Sequence, residues 1–190
     1  MELQPSSINS SDSSIFKFET FLSDDCVFLP KEGSSTSVEL ELGIRIINCS
    51  PQPKRFLNYY LSPEIINSSL ELVHLIYASS VYKLIDESNF ELVEAGESVT
   101  FQLNSRLFLC QDKLLLSIEA KDGGMWTSLE SLGVGSYQIR FHYKTEVPVG
   151  QIFLGRNAQG SPIYRKVFEF DDLWTGSVSS PYKSFSLVFQ

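Results

Sequence analysis

The chain holds two histidines, His74 and His142, so an acid–base relay or an imidazole metal site has few ways to be built. His142 stands in the run Tyr137-Gln138-Ile139-Arg140-Phe141-His142-Tyr143-Lys144. As a strand, this run places Tyr137, Ile139, Phe141 and Tyr143 on one face and Gln138, Arg140, His142 and Lys144 on the other. His142 is therefore expected on a solvated face, where catalysis would require a nucleophile and a carboxylate to converge from other strands. The row Arg140, His142 and Lys144 could bind an anion, because side chains two apart on a strand point the same way. The plainer expectation is a solvated face balanced by acid elsewhere. His74, set among Leu72, Val73, Leu75 and Ile76, is expected at a strand edge with one ring nitrogen bonded to backbone.

Other chemistries find less support. Calcium needs six or more oxygens, and the loop pairs Asp24-Asp25 and Asp171-Asp172 lack the spacing that gathers them locally. Gly155 to Ser161 has the two glycines of a phosphate loop but no lysine before the serine and no helix after it. Cys26, Cys49 and Cys110 are odd in number and have neither a C-x-x-C nor a histidine at ligand spacing, so reduced, buried thiols are expected. Asn9, Asn48 and Asn67 open N-x-S sequons, expected to be chance matches in a chain without export. No cofactor and no metal is expected, and the chain is not expected to be an enzyme.

Composition narrows the partners. A net charge of −8 repels the phosphate backbone and gives no footprint for nucleic acid or anionic lipid. The Ser-rich start has neither a basic nor an apolar leader region, and no apolar run approaches the length of a spanning helix, so a cytoplasmic protein is expected. With 190 residues, 14 of them Phe and 8 Tyr, the chain suits one well-buried, sheet-rich domain over 15–190 after a flexible tail over 1–14.

The elements that would carry these residues are short strands. Ile15 to Leu29 suggests one or two, broken at Ser23-Asp24-Asp25. Val38 to Ile46 alternates with period two and ends at the turn Asn48 to Pro53. A hairpin-like partner is expected at Arg55 to Leu61, closed by Pro63. Further strands are expected at Leu70 to Tyr77, Val81 to Asp86, Val99 to Leu103, Lys113 to Glu119 and Tyr137 to Thr145, then at Ile163 to Phe170 and Tyr182 to Phe189. The glycines and Asn157 between Val147 and Ser161 read as a long exposed loop. These turns and strands predict an all-β, antiparallel sandwich of about eight or nine strands.

The turn Leu132-Gly133-Val134-Gly135 ahead of Tyr137 reads as a tyrosine corner, in which a Tyr opening a strand hydrogen-bonds backbone a few residues upstream. Together with Trp174-Thr175-Gly176 and the final alternating strand, it resembles the closing strands of bacterial immunoglobulin-like or fibronectin type III-like domains, over Glu94 to Gln190. The resemblance implies an immunoglobulin-like β-sandwich and a binding role. It departs from antibody-type domains in lacking an inter-sheet cysteine pair. The expected function is that of an interaction module holding an unidentified protein partner through loops or a sheet edge. The candidate contact residues are Phe153, Arg156, Asn157 and Gln159. The alternative is a small-ligand or carbohydrate-binding sandwich using Tyr59, Tyr60, Tyr164 and Tyr182 as exposed aromatics.

Overall fold

The computed structural model describes residues 15–29, 37–79, 87–145 and 149–188. Strands are numbered along the chain. One six-stranded sheet runs, edge to edge, through β1 (Phe16–Leu22), β3 (Ser37–Asn48), β9 (Ser98–Cys110), β10 (Lys113–Glu119), β11 (Met125–Ser128) and β7 (Leu75–Ala78). The other runs through β2 (Cys26–Phe28), β16 (Lys183–Val188), β12 (Gly135–Thr145), β5 (Leu61–Asn67) and β6 (Leu72–Val73), with β15 (Gly176–Ser179) also paired to β12. Two ribbons complete the described strands, β4 (Lys54–Leu57) with β8 (Phe90–Val93) and β13 (Val149–Arg156) with β14 (Pro162–Glu169). Every named pairing is antiparallel except β2 with β16. Among the described residues no helix is long and apolar enough to cross a membrane.

Both large sheets share one core, which makes the architecture sandwich-like. Phe18 on β1 meets Tyr143 on β12 at 6.1 Å between ring centroids, and Phe56 on β4 lies 4.3 Å from the same Tyr143. Trp174 stacks on Tyr143 at 5.2 Å and meets the edge of Phe16 at 5.0 Å, so three chain segments close around one phenol ring. Interdigitated rings of this size supply both buried area and geometric preference. Trp174 is thus a core residue, whereas Trp126 is half-buried against Tyr77.

The expected tyrosine corner is present. Tyr137 is buried, and its Oη donates to Gly133 O at 3.0 Å and accepts from Gly133 N at 3.0 Å. The break at Ser23 to Asp25 is also present, and it sends β1 and β2 to different sheets.

Several expectations are corrected. The described strands number sixteen, well above eight or nine, because breaks divide runs that read as single strands. Leu70 to Tyr77 supplies β6 to one sheet and β7 to the other. Arg55 begins no hairpin with β3; β4 pairs with β8 instead. Pro63 closes nothing and sits inside β5 opposite Phe141, where no described strand flanks its other side and a missing N–H breaks no ladder. The loop read over Val147 to Ser161 is mostly strand β13. Gly150 and Gly155 lie at register shifts of the β13–β14 hairpin, so glycines that suggested a loop mark bulges. The thiols are free, but Cys26, Cys49 and Cys110 are exposed rather than buried. Asn48 is fully buried, donating to Gln52 O and Val93 O at 2.8 Å each, so its sequon has no exposed amide. The tail, Val81 to Asp86, Val147 and the terminal Phe189 lie outside the described residues.

Tyr137→Phe should lower unfolding free energy in urea by about 1 kcal/mol, because the Gly133 peptide is exposed enough to be rehydrated. An unchanged midpoint would show that the corner bond adds nothing. All three thiols should react with an aromatic disulfide reagent without denaturant; a count of one would indicate a bridge.

Candidate functional site

Arg156, Asn157 and Gln159 are exposed, but they form the tight end of the β13–β14 hairpin. There Asn157 Oδ1 accepts from Gln159 N at 3.0 Å and Ser161 N at 2.9 Å, and Arg156 Nη1 donates to Gly160 O at 2.7 Å. The Phe153 and Tyr164 side chains lie outside what the structure describes. The remaining aromatics are engaged with different neighbours. Tyr60 is exposed yet packs edge-on against Tyr143 at 6.3 Å, Tyr59 is half-buried, and Tyr182 lies beneath the Arg140 guanidinium at 4.4 Å.

The outward row of β12 does not present free cations as a set. Arg140 is opposite Glu64 on β5, and its Nε and Nη2 approach Glu64 Oε1 at 2.7 and 2.6 Å. Tyr182 Oη donates to that same oxygen. Glu64 Oε2 is left facing His142 Nε2 at 3.1 Å, off the axis of a good hydrogen bond. The other ring nitrogen, Nδ1, is 2.6 Å from Ser179 Oγ, the residue directly across from His142 on β15. A nucleophile type and a carboxylate therefore do converge on His142 from two flanking strands. Partial burial pushes the Glu64 carboxyl up, but hydrogen bonds from Tyr182 and Arg140 outweigh it and hold the group below the usual glutamate range. Sequence inspection could place Arg140 and His142 on one face, but strand order alone brings Glu64 and Ser179 to them.

His74 also meets a carboxylate rather than backbone, with Nδ1 2.8 Å from Glu130 Oε1. Of the two acidic pairs, Asp25 faces Lys183 Nζ at 2.7 Å and Asp172 faces Arg55 Nε at 3.2 Å.

A second feature escaped sequence reading. The continuous segment Leu72–Ala78 forms β6 at the end of one sheet and β7 at the end of the other, with only His74 between them. Along it Leu72, Ile76 and Tyr77 are 50%, 46% and 42% exposed, and Leu70 and Leu129 beside it are exposed at 74% and 53%. Tyr77 lies against Gly124, where a Cβ would come within 2.3 Å of the phenol oxygen. Burial, then the Asp122 carboxylate that accepts its hydroxyl, pushes the Tyr77 phenol up to about 12, so it remains a neutral donor near neutral pH. An apolar run of this length in sequence signals a strand; it does not reveal that its outer side lacks a neighbour.

Because Glu64 binds protons less readily in the folded chain, its contribution is fully present above the unfolded pKa and lost as pH falls through the lower folded value. The stability advantage of the parent over Glu64→Gln, read from urea unfolding, should be constant above about pH 5 and shrink at more acid pH. A difference independent of pH would place the cluster's contribution outside Glu64 ionisation.

No family model matches the chain, and no curated protein or solved structure is significantly similar to it.

Proposed function

We propose that this chain is an immunoglobulin-like interaction module that binds rather than turns over, and that its binding surface is the Leu72–Ala78 edge. The immunoglobulin-like reading draws support from the tyrosine corner, from β12 lying between β5 and β16, and from the parallel pairing of β2 with β16. The order in the other sheet is less like that family, since β9, which precedes its hairpin partner β10, lies beside β3.

The observation that carries the binding role is the exposed apolar edge. Among the described residues no strand pairs with the outer side of β6 or β7. Natural edges are usually protected by lysine, proline or a covering loop, and β6 and β7 carry neither lysine nor proline. An extended chain added there would gain main-chain hydrogen bonds for affinity and side-chain contacts for specificity. Glu71, Asp122 and Glu130 border the edge, and the whole chain carries −8, so the fitting partner is an extended segment alternating apolar and basic residues. A carbohydrate role draws less support, because Tyr60 packs against Tyr143 while Tyr182 lies under Arg140.

Titrating the labelled protein with an eight-residue peptide alternating valine and lysine should shift amide resonances within 72–78 and on neighbouring β11. Ile76→Lys should weaken binding at least about tenfold while changing stability by no more than about 0.5 kcal/mol, as expected of an exposed position. Shifts centred on the Arg156–Ser161 turn, or full binding by Ile76→Lys, would move the binding surface elsewhere.

A further inference from the structure

We infer that Ser179 is an acyl-accepting nucleophile, with His142 as its base, and that it takes short acyl groups from activated esters or thioesters. Ser179 Oγ is exposed at the sheet surface and lies 2.6 Å from His142 Nδ1, within reach for proton transfer. Acceptance of that proton requires a neutral ring carrying its hydrogen on Nε2. The Glu64 carboxylate 3.1 Å from Nε2 favours this tautomer. Glu64 is a positioning residue here. Its Oε1 is occupied by Arg140 and Tyr182, which leaves Oε2 turned toward the imidazole.

In the reaction, Ser179 Oγ forms a bond to the acyl carbon and its proton passes to His142 Nδ1. The bond between the acyl carbon and the aryloxide or thiolate then breaks, and the leaving group departs with that proton. An open groove of about 570 Å³ adjoins the serine, with Lys17, Cys49, Val178 and Pro181 among the residues around it, so a small acyl group has a place to lie.

The same geometry limits the chemistry. The next amide, Ser180 N–H, already donates to Phe141 O at 2.9 Å, so it is not free to stabilise an oxyanion on the acyl carbon. Loss of one such donor costs roughly 10²–10³ in rate where it has been measured. The site therefore suits donors with good leaving groups, not amides, and the product is a modified serine rather than rapid turnover. This inference does not depend on the partner edge, which lies on other strands.

The test uses the full chain with its exposed cysteines first alkylated, p-nitrophenyl acetate as the acyl donor, and peptide mass spectrometry to locate the acetyl group. Ser177, exposed two residues away on the same face of β15, is the internal reference. Acetylation is expected on Ser179 in clear excess over Ser177, with a fall of roughly 10² in rate at Ser179 for His142→Asn. Glu64→Gln should give a smaller loss at Ser179 and none at Ser177. Equal acetylation of the two serines, acetylation of Tyr182 instead, or an unchanged rate in folded His142→Asn would overturn the proposal. Should His142→Asn fail to fold, the Ser179 to Ser177 ratio in the parent protein decides the matter.

Discussion

Alternation along β12 holds the two halves of the molecule in register. Its inward positions Tyr137, Ile139, Phe141, Tyr143 and Thr145 are all buried, while the residues between them are partly or wholly exposed. A slip of one residue against β5 would exchange the two sets, putting Arg140 and His142 into the aromatic core. The cost of burying unpaired charge is far larger than the cost of a lost hydrogen bond, so the core row effectively dictates where the polar row stands. The same pleat therefore positions the ring that anchors the core and the imidazole that meets Glu64 and Ser179.

The break between β15 and β16 refines that arrangement. Pro181 has no N–H to give to a ladder, and Ser180 beside it is buried. Its hydroxyl compensates by accepting from Phe141 N at 2.9 Å and meeting Thr20 Oγ1 at 2.6 Å, which ties the break to a strand of the opposite sheet. On either side of this interruption, Ser179 is held across from His142 and Tyr182 reaches Glu64. A satisfied buried hydroxyl thus accounts for the local geometry without requiring strain.

At the other margin the chain crosses between sheets at His74, leaving β6 and β7 with outer sides that no described strand covers. The crossing is why apolar side chains remain exposed there. Where the strand changes sheets, Val73 is buried while Leu72 and Ile76 are not. The polar cluster on β12 follows from alternation at the middle of a sheet, whereas along β7 Ile76, Tyr77 and Ala78 are all exposed at its boundary.

Local pattern was sufficient to read the all-β class, the β3 and β12 faces and the Tyr137 corner, because side-chain period and a turn's glycines are written into adjacent residues. It misread the β13 glycines and the cysteines, since a bulge and a loop use the same residue type and a thiol's burial depends on which strand end it occupies. The ion pairs around Glu64, the contact between Ser179 and His142, and the open edge at Leu72–Ala78 required tertiary structure. Glu64 and Ser179 stand far from His142 in the chain, and they meet only because β5 and β15 both pair with β12. Periodicity decides which face a side chain takes; the order of strands decides what stands beside it, and that order is set by long-range packing no local spacing contains.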